Sequence, residues 1–479
     1  MLSIIMDVSK YIFALLSVCY AGMVLIGLAN KNRFFAANIY ALQLIITLAV
    51  HFLGYAVLFA DSGNDIKYVT LYGAELVYFI VVYAVYGIFY KNASRLLVNN
   101  MCMLLAIGFI MITRLSYSKG LKQFIICAAA TVVAFFIPAI IKRIKWLKNL
   151  SWMYCVAGLV LLVAVLFCTE VFGANLVLTI GGFSVQPSEF VKILFVMYVA
   201  AAFNKSTGFA NTIAVTFFAA AHVVILVLSK DLGAALIFFV VYLMMMYTAT
   251  GNVLLLMLGT GAGAVASVAA YHLFSHVRQR VLIWINPWAD IDGKGYQICQ
   301  SLFAIGMGSW FGYGLGQGLP GKIPVAEKDF MFSAITEEFG IFFAISLLFI
   351  CLSNVIIMMD IASKCRTLFY RLVAVGLAVT YGFQVFLTVG GAMKLIPMTG
   401  VTLPLVSYGG SSLVSTLVMF ALINGMYIKR ETPPASNSKR GVLNTKHNEV
   451  NKNEPSRKKT GKEKNSRKRS VYDYDKEDF

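Results

Sequence analysis

Residues Arg278–Gly340 read RQRVLIWINPWADIDGKGYQICQSLFAIGMGSWFGYGLGQGLPGKIPVAEKDFMFSAITEEFG. This stretch is rich in Gly and Trp, carries charge, and lies between apolar runs long enough to cross a bilayer. Polar groups beside hydrocarbon are costly unless paired or wetted. A segment like this therefore marks binding or chemistry rather than packing.

Outward from that stretch, the composition sets the class. The chain is 59% hydrophobic and 13% charged, with a mean hydropathy of +0.78, whereas a soluble domain carries about a quarter charged residues. The reading is an all-α, polytopic membrane helix bundle, because a β-barrel would show short alternating strands in place of long apolar runs. Spans of roughly twenty apolar residues fall near 10–29, 37–60, 69–90, 97–115, 121–141, 149–168, 189–203, 209–228, 231–249, 252–273, 332–358, 368–391 and 409–428, the seventh being short. The first run, Tyr11 to Ala29, lacks a small-residue cleavage site and so does not read as a signal peptide.

Charge placement sets the expected orientation. The net charge of +18 suits nucleic acid in principle, but its excess sits in loops and a basic tail, which is positive-inside patterning and points away from nucleic acid. Lys31, Arg33, Lys91, Arg95, Lys142, Arg143, Lys145, Lys148, Lys205, Lys364, Arg366, Arg371, Lys429 and Arg430 fall on one side. With thirteen spans that side is cytoplasmic, the N-terminus is outside and the C-terminus inside. Loops 61–65, 172–189, 274–331 and 392–408 then share the external face of the cytoplasmic membrane. Arg114, Lys119 and Lys122 fall on the wrong side, so either they are functional or the count errs locally. The cysteines sit mostly in apolar runs with no CxxC or His/Cys cluster, which implies neither disulfides nor a metal site.

Three expected external segments carry residues that lipid-facing helices do not need. In GGFSVQPSEFVK, Gly181–Lys192, Pro187 suits a first helical turn, Ser188 is a candidate cap and Glu189 complements the helix dipole. Lys192, one turn on at the edge of the hydrocarbon, is left without a structural reason. Lys230-Asp231 is a charged break between two spans, either a tight hairpin with a local ion pair or a broken helix presenting polar ends to a substrate. The third segment joins 278–340 with GGAMKLIPMTGVTLPLVSYGGSS, Gly390–Ser412. Arg278 and Arg280 are guanidiniums suited to phosphate oxygens. Asp329 precedes an apolar run beginning at Met331, with Ser333, Glu337 and Glu338 on the next two turns. An Asp there is ordinarily an N-cap.

These motifs, NPWADIDGKGYQICQSL, the G-x-G-x-G run, IPVAEKDFMFSAITEEFG, QPSEFVK and TGVTLPLVSYGGSS, resemble the SEDS family of shape, elongation, division and sporulation proteins (FtsW, RodA, SpoVE). The match runs in order over roughly residues 97–430. The resemblance implies a glycosyltransferase that polymerises lipid II into peptidoglycan strands at the outer membrane face, with a class B penicillin-binding protein as partner. It implies that Asp329, in the DF motif, is the essential acid. A carboxylate there suits a general base for the attacking sugar hydroxyl. Arg278, Arg280, Lys192, Lys230 and Lys394, with a divalent cation such as Mg or Mn, are candidates to meet the prenyl pyrophosphate leaving group. Glu189, Ser188, Asp231, Ser407 and Ser411 complete the expected substrate-binding set. A single displacement inverts the donor linkage.

The chain departs from the family pattern in three places. MITRLS brings Arg114 to the end of the first core span, Thr388 stands where many members have Asn, and the usual Pro-Asp reads Lys230-Asp231. The expected organisation is a ten-span core at 96–430, an accessory bundle of about three spans at 1–95 with no paired charges facing a core, and a disordered basic tail at 431–479. The tail's block Arg457–Arg469 either touches anionic lipid or is merely solvated. A lipid II flippase and a non-catalytic scaffold are the competing readings. Sequence leaves division, elongation and sporulation equally open.

Overall fold

A computed structural model describes residues 2–29, 33–144, 146–166, 178–180 and 183–431. The expected disordered tail lies outside the described residues. The helices are α1 (Leu2–Ala29), α2 (Arg33–Asp61), α3 (Ile66–Ile88), α4 (Arg95–Leu115), α5 (Tyr117–Arg143), α6 (Ser151–Leu166), α7 (Pro187–Lys205), α8 (Phe209–Leu228), α9 (Leu232–Thr250), α10 (Val253–Leu273), α11 (Ser275–Ile285), α12 (Tyr296–Met307), α13 (Met331–Ser363), α14 (Leu368–Ala392) and α15 (Gly410–Glu431). Strands β1 (Leu178–Ile180) and β2 (Phe183–Val185) pair antiparallel, with Leu178 opposite Val185.

Twelve of these helices are long and apolar enough to cross a membrane. The doubtful seventh span is a full helix of 19 residues, whereas the sixth is described over only 16. Backbone groups in hydrocarbon must bond within their own segment, which is why long apolar runs become helices. Local chemistry sets the ends: Asp65 accepts from the Lys67 N–H to start α3, and Asn252 accepts from the Leu254 N–H to start α10. The 274–331 segment, expected as a loop, is largely folded, with α11, α12 and two short 3-10 turns.

The most apolar stretch of α4 is entirely buried, so α4 is the axis around which other helices pack, while α10 buries nothing and is peripheral. α2 packs on α4, α1 along α13, and α5 along α15. Polar side chains join the layers. Tyr20 donates to Asn100 at 3.2 Å, and Asn100 donates to Ser353 at 2.8 Å and to Asn354 at 3.0 Å. Asn354 in turn donates to Tyr381 at 3.2 Å. That chain ties α1, α4, α13 and α14 together where the alternative is an unbonded polar group in lipid.

The N-terminal helices also overturn one expectation. His51 of α2 and Glu75 of α3 are both fully buried, 2.8 Å apart, and Tyr55 donates to the second Glu75 oxygen at 2.8 Å. Tyr55 also meets the Thr113 hydroxyl of α4 at 3.2 Å. A buried, hydrogen-bonded His–Glu pair thus does face the core. Neither residue reveals its partner alone, because the pairing depends on how α2 and α3 align.

α13 is broken at Gly340, where φ is 82° and ψ 176°. Only glycine holds that region at ordinary cost. The break leaves carbonyls and N–H groups without helical partners, and the Gly-rich run fills them. Tyr313 and Gly314 N–H donate to the Glu337 and Glu338 carbonyls at 3.0 and 2.9 Å. Ile341 and Phe342 N–H donate back to Ser309 and Trp310 carbonyls at 3.0 and 3.3 Å. The approach is so close that a Cβ on Gly312 would stand 2.2 Å from the Glu338 carbonyl oxygen.

Two of the three wrong-side cations, Arg114 and Lys119, find acid partners here. Arg114 donates to Glu338 at 3.2 Å and to the Gly316 carbonyl at 3.0 Å, and Lys119 pairs with Glu327. These charges are matched by acids of the 309–338 region.

Candidate active site

Asp329 lies in the turn that leads into α13. It is not the helix cap, because Phe330 holds that position and makes no side-chain cap bond. Its neighbours are fixed from outside. The Ser407 hydroxyl donates to the Lys328 carbonyl at 2.6 Å and accepts from the Leu403 N–H at 3.1 Å. The Tyr408 N–H donates to the Glu327 carbonyl at 2.6 Å. Burial favours a neutral Glu327, but its bonds to Lys119 and to its own N–H hold its pKa below the usual range.

With residues 327 and 328 so engaged, Asp329 lines a narrow cleft with Leu387, Thr388, Met398, Thr399 and Val401. Its pKa is pushed up to about 6, chiefly by burial, against the pull of Lys328 and Arg280. Arg280, on α11, donates to the Met398 carbonyl at 3.1 Å. Burial draws the guanidinium's pKa down, and the carboxylates of Asp329 and Asp231 oppose that shift. Arg280 thus stands in the field of both acids.

A second cleft shares Gly400 and Val401 with the first and is lined by Gln186, Ser188, Glu189, Lys192 and Asp231. Pro187 opens α7 as expected, but Ser188 is not its cap: Gln186 is, and Ser188 donates to Asp231 at 3.1 Å instead. The reason is tertiary. The turn between α8 and α9 brings Asp231 alongside, where it caps α9 by accepting from the Ala234 N–H at 3.0 Å. Gln186 adds a bond at 3.3 Å. Burial raises the Asp231 pKa in spite of these donors. Lys230 occupies the left-handed region at φ 63° in that turn. Lys192 lies 2.5 Å from Glu189 and donates to Gln384 at 2.8 Å, while Ser415 donates to Glu189 at 2.9 Å.

The expected set thus divides. Asp329, Asp231, Ser188, Glu189 and Lys192 line two joined clefts, and Arg280 holds the Met398 carbonyl of their shared wall. Arg278 turns away to the Tyr271 ring and the His272 carbonyl. Ser407 and Ser411 are used in shaping loops, the latter by accepting from the Gln186 N–H at 2.9 Å. Lys394 stands at the end of α14 at φ 59°, and its carbonyl accepts from Trp284. Sequence reasoning passed over Gln384, which is fully buried and also donates to the Thr402 carbonyl and to Ser412. The signal was present, since a lone amide inside an apolar span is costly without a role.

Chemically, a carboxylate near neutrality beside a guanidinium can take a proton from a hydroxyl and steady a departing anion. The second cleft holds about 40 Å³, room for a water or two.

Similarity to known proteins agrees with this region. The profile of the FtsW/RodA/SpoVE cell cycle proteins matches residues 94–432. Peptidoglycan glycosyltransferase RodA of Mycobacterium tuberculosis (strain H37Rv) is 35% identical over 318 residues, which cover 62% of this chain and 67% of that one. Probable peptidoglycan glycosyltransferase FtsW of Aeromonas salmonicida is 30% identical over 348 residues, covering 67% and 86%. A chain in a solved peptidoglycan synthase complex, described as coordinating polymerization and crosslinking, superposes with a TM-score of 0.61 at 25% identity, covering 71% of this chain and 99% of that one. The Thermus thermophilus rod shape determining protein RodA gives a TM-score of 0.55 at 25% identity, covering 71% and 98%.

Proposed function

The chain belongs to the FtsW/RodA/SpoVE family, and from that premise we propose that it polymerises lipid II into peptidoglycan glycan strands from within the membrane. It is a multi-pass membrane glycosyltransferase. Asp329 takes the proton from the acceptor sugar hydroxyl as that oxygen attacks the anomeric carbon of the donor. The bond to the prenyl diphosphate breaks in the same step with inversion, and the diphosphate leaves against Arg280. The observation that carries this reading is the Asp329 carboxylate lining a cleft against the 398–401 segment, whose Met398 carbonyl Arg280 holds; burial raises that carboxyl's pKa toward the working range. A base is most effective when its pKa approaches the working pH.

The remaining converging residues hold the site's shape. Asp231 and Ser188 tie the α8–α9 turn to α7, and Lys192 with Glu189 forms a neutral pair beneath the 398–402 segment. Among the described residues no three His, Cys, Asp or Glu side chains converge. Mg or Mn belongs to this reading only as an ion carried on the diphosphate, and no step runs through it.

The site faces outward and the C-terminus lies in the cytoplasm. Supporting this, Lys91, Lys142 and Arg143 meet at one end of the bundle near Ile428, and Lys429 bonds Tyr370 at the same end of α15, as positive-inside placement requires. Opposite them stands the Asp329 region. A class B penicillin-binding protein is the partner that cross-links the product.

The test is polymerisation of purified lipid II by the reconstituted protein and its partner transpeptidase. An Asp329→Ala variant that still assembles with the partner should make no polymer. Full polymer from that variant would remove Asp329 from the mechanism.

A further inference from the structure

At the end of the bundle away from Asp329, the stretch after α3, the end of α5 and the last turns of α15 leave an open cleft of about 590 Å³. That volume lies within the range of sites for small molecules, about 300–1,000 Å³. Lys91, Lys142 and Arg143 line it, with Ile88, Phe89 and Ile428 on the same walls. Among the described residues no acid lines it, and the three exposed cations have no carboxylate partner. Three positive charges on one cleft repel one another unless an anion joins them. The adjoining surface is oily: Phe89 is 73% exposed and Ile88 65%. Phe136 and Ile140 of α5 continue that face.

A soluble anion would satisfy the cations and leave those apolar side chains bare. A zwitterionic lipid brings its own cation into a cleft that already has three. One ligand class matches both walls. We propose that this cleft binds the headgroup of an anionic glycerophospholipid from the surrounding leaflet. Its phosphate is held by Lys91, Lys142 and the Arg143 fork, and its acyl chains run along the exposed faces of α3 and α5. Basic pockets between membrane helices recognise headgroups in this way. The site stands on the cleft alone and is independent of the reaction assigned above.

The experiment titrates detergent-purified full-length protein with dioleoyl phosphatidylglycerol or dioleoyl phosphatidylcholine and counts bound lipid by native mass spectrometry. Wild type should retain one phosphatidylglycerol far more tightly than phosphatidylcholine, and millimolar inorganic phosphate should not displace it. A triple Lys91→Gln, Lys142→Gln, Arg143→Gln variant should bind about fivefold more weakly per charge removed, roughly a hundredfold in all. Ala139→Trp keeps the charges but fills the cleft, and should also lose the lipid. Equal retention of the two lipids by wild type would overturn the proposal, as would unchanged binding by the triple variant. Displacement by phosphate would make this a general anion site, and retention by Ala139→Trp would reduce it to surface charge; either result overturns it too. Because the three cations are exposed, the triple variant should melt with wild type and remain a fair test if the tryptophan variant misfolds.

Discussion

Replacing Asp329 with asparagine should abolish polymerisation and, at neutral pH, make the protein more stable. The carboxyl's pKa stands at about 6 in place of 3.8. Below about pH 4 the side chain is protonated in both folded and unfolded chains and contributes no difference. Between 3.8 and about 6 only the unfolded chain ionises, so the folded state loses about 1.4 kcal/mol for each pH unit gained. Above that window the loss is complete, at about 3 kcal/mol. Asparagine has nearly the same shape and no charge to desolvate, so the variant escapes the loss. For a chain of this size the gain corresponds to roughly 3 °C in melting temperature. Thermal scans of both proteins in detergent, run from about pH 4 to about pH 7.5, would measure it. The variant's advantage should grow with pH and vanish at the acid end. A difference that is flat with pH, or a variant that melts below wild type near neutrality, would refute the idea that this acid is held at an energetic cost.

Four further outcomes follow from the same geometry. Because Arg280 lowers the Asp329 pKa, Arg280→Gln should move the acidic midpoint of the polymerisation rate to higher pH while reducing the plateau; an unmoved midpoint would separate the two residues. Gly340→Ala should cost about 1–3 kcal/mol for the backbone region alone, and more from a Cβ 2.3 Å from the Gly312 nitrogen, visible as lost folded yield. His51→Ala should cost about 1–3 kcal/mol by leaving one buried Glu75 oxygen unbonded while Tyr55 keeps the other, and thermal scans should show Glu75→Gln to be milder. Arg114→Ala should destabilise the 309–318 segment by stranding Glu338, read as faster hydrogen exchange there, with Arg114→Lys recovering part of the protection.

The helical architecture was legible because hydrocarbon leaves an apolar run of this length one way to satisfy its backbone. Asp329 and the QPSE segment were legible as motifs, Arg280 only as one of two guanidiniums, and Pro187 opens its helix where chain chemistry says it should. What could not be read were partnerships between distant segments. Ser188 looks like a cap until the α8–α9 turn puts Asp231 beside it. His51 and Glu75 are each a lone polar residue in an apolar run until the helices align. Arg278 and Arg280 differ by two positions, so on a helix they point about 200° apart, and only one could reach the cleft. Gly340 reads as a weak spot in a continuous helix, because nothing local announces that residues 309–314 will supply its missing bonds.

Those four bonds across the Gly340 break have a practical consequence for anyone building chimeras in this family. Exchanging the 309–330 segment alone would separate these donors and acceptors, and an unpaired backbone group in lipid costs several kcal/mol. The transplantable module is therefore residues 309–342 taken together, half aqueous and half membrane, and a graft cut at the apparent water–lipid boundary near Met331 should misfold even when both parents are sound.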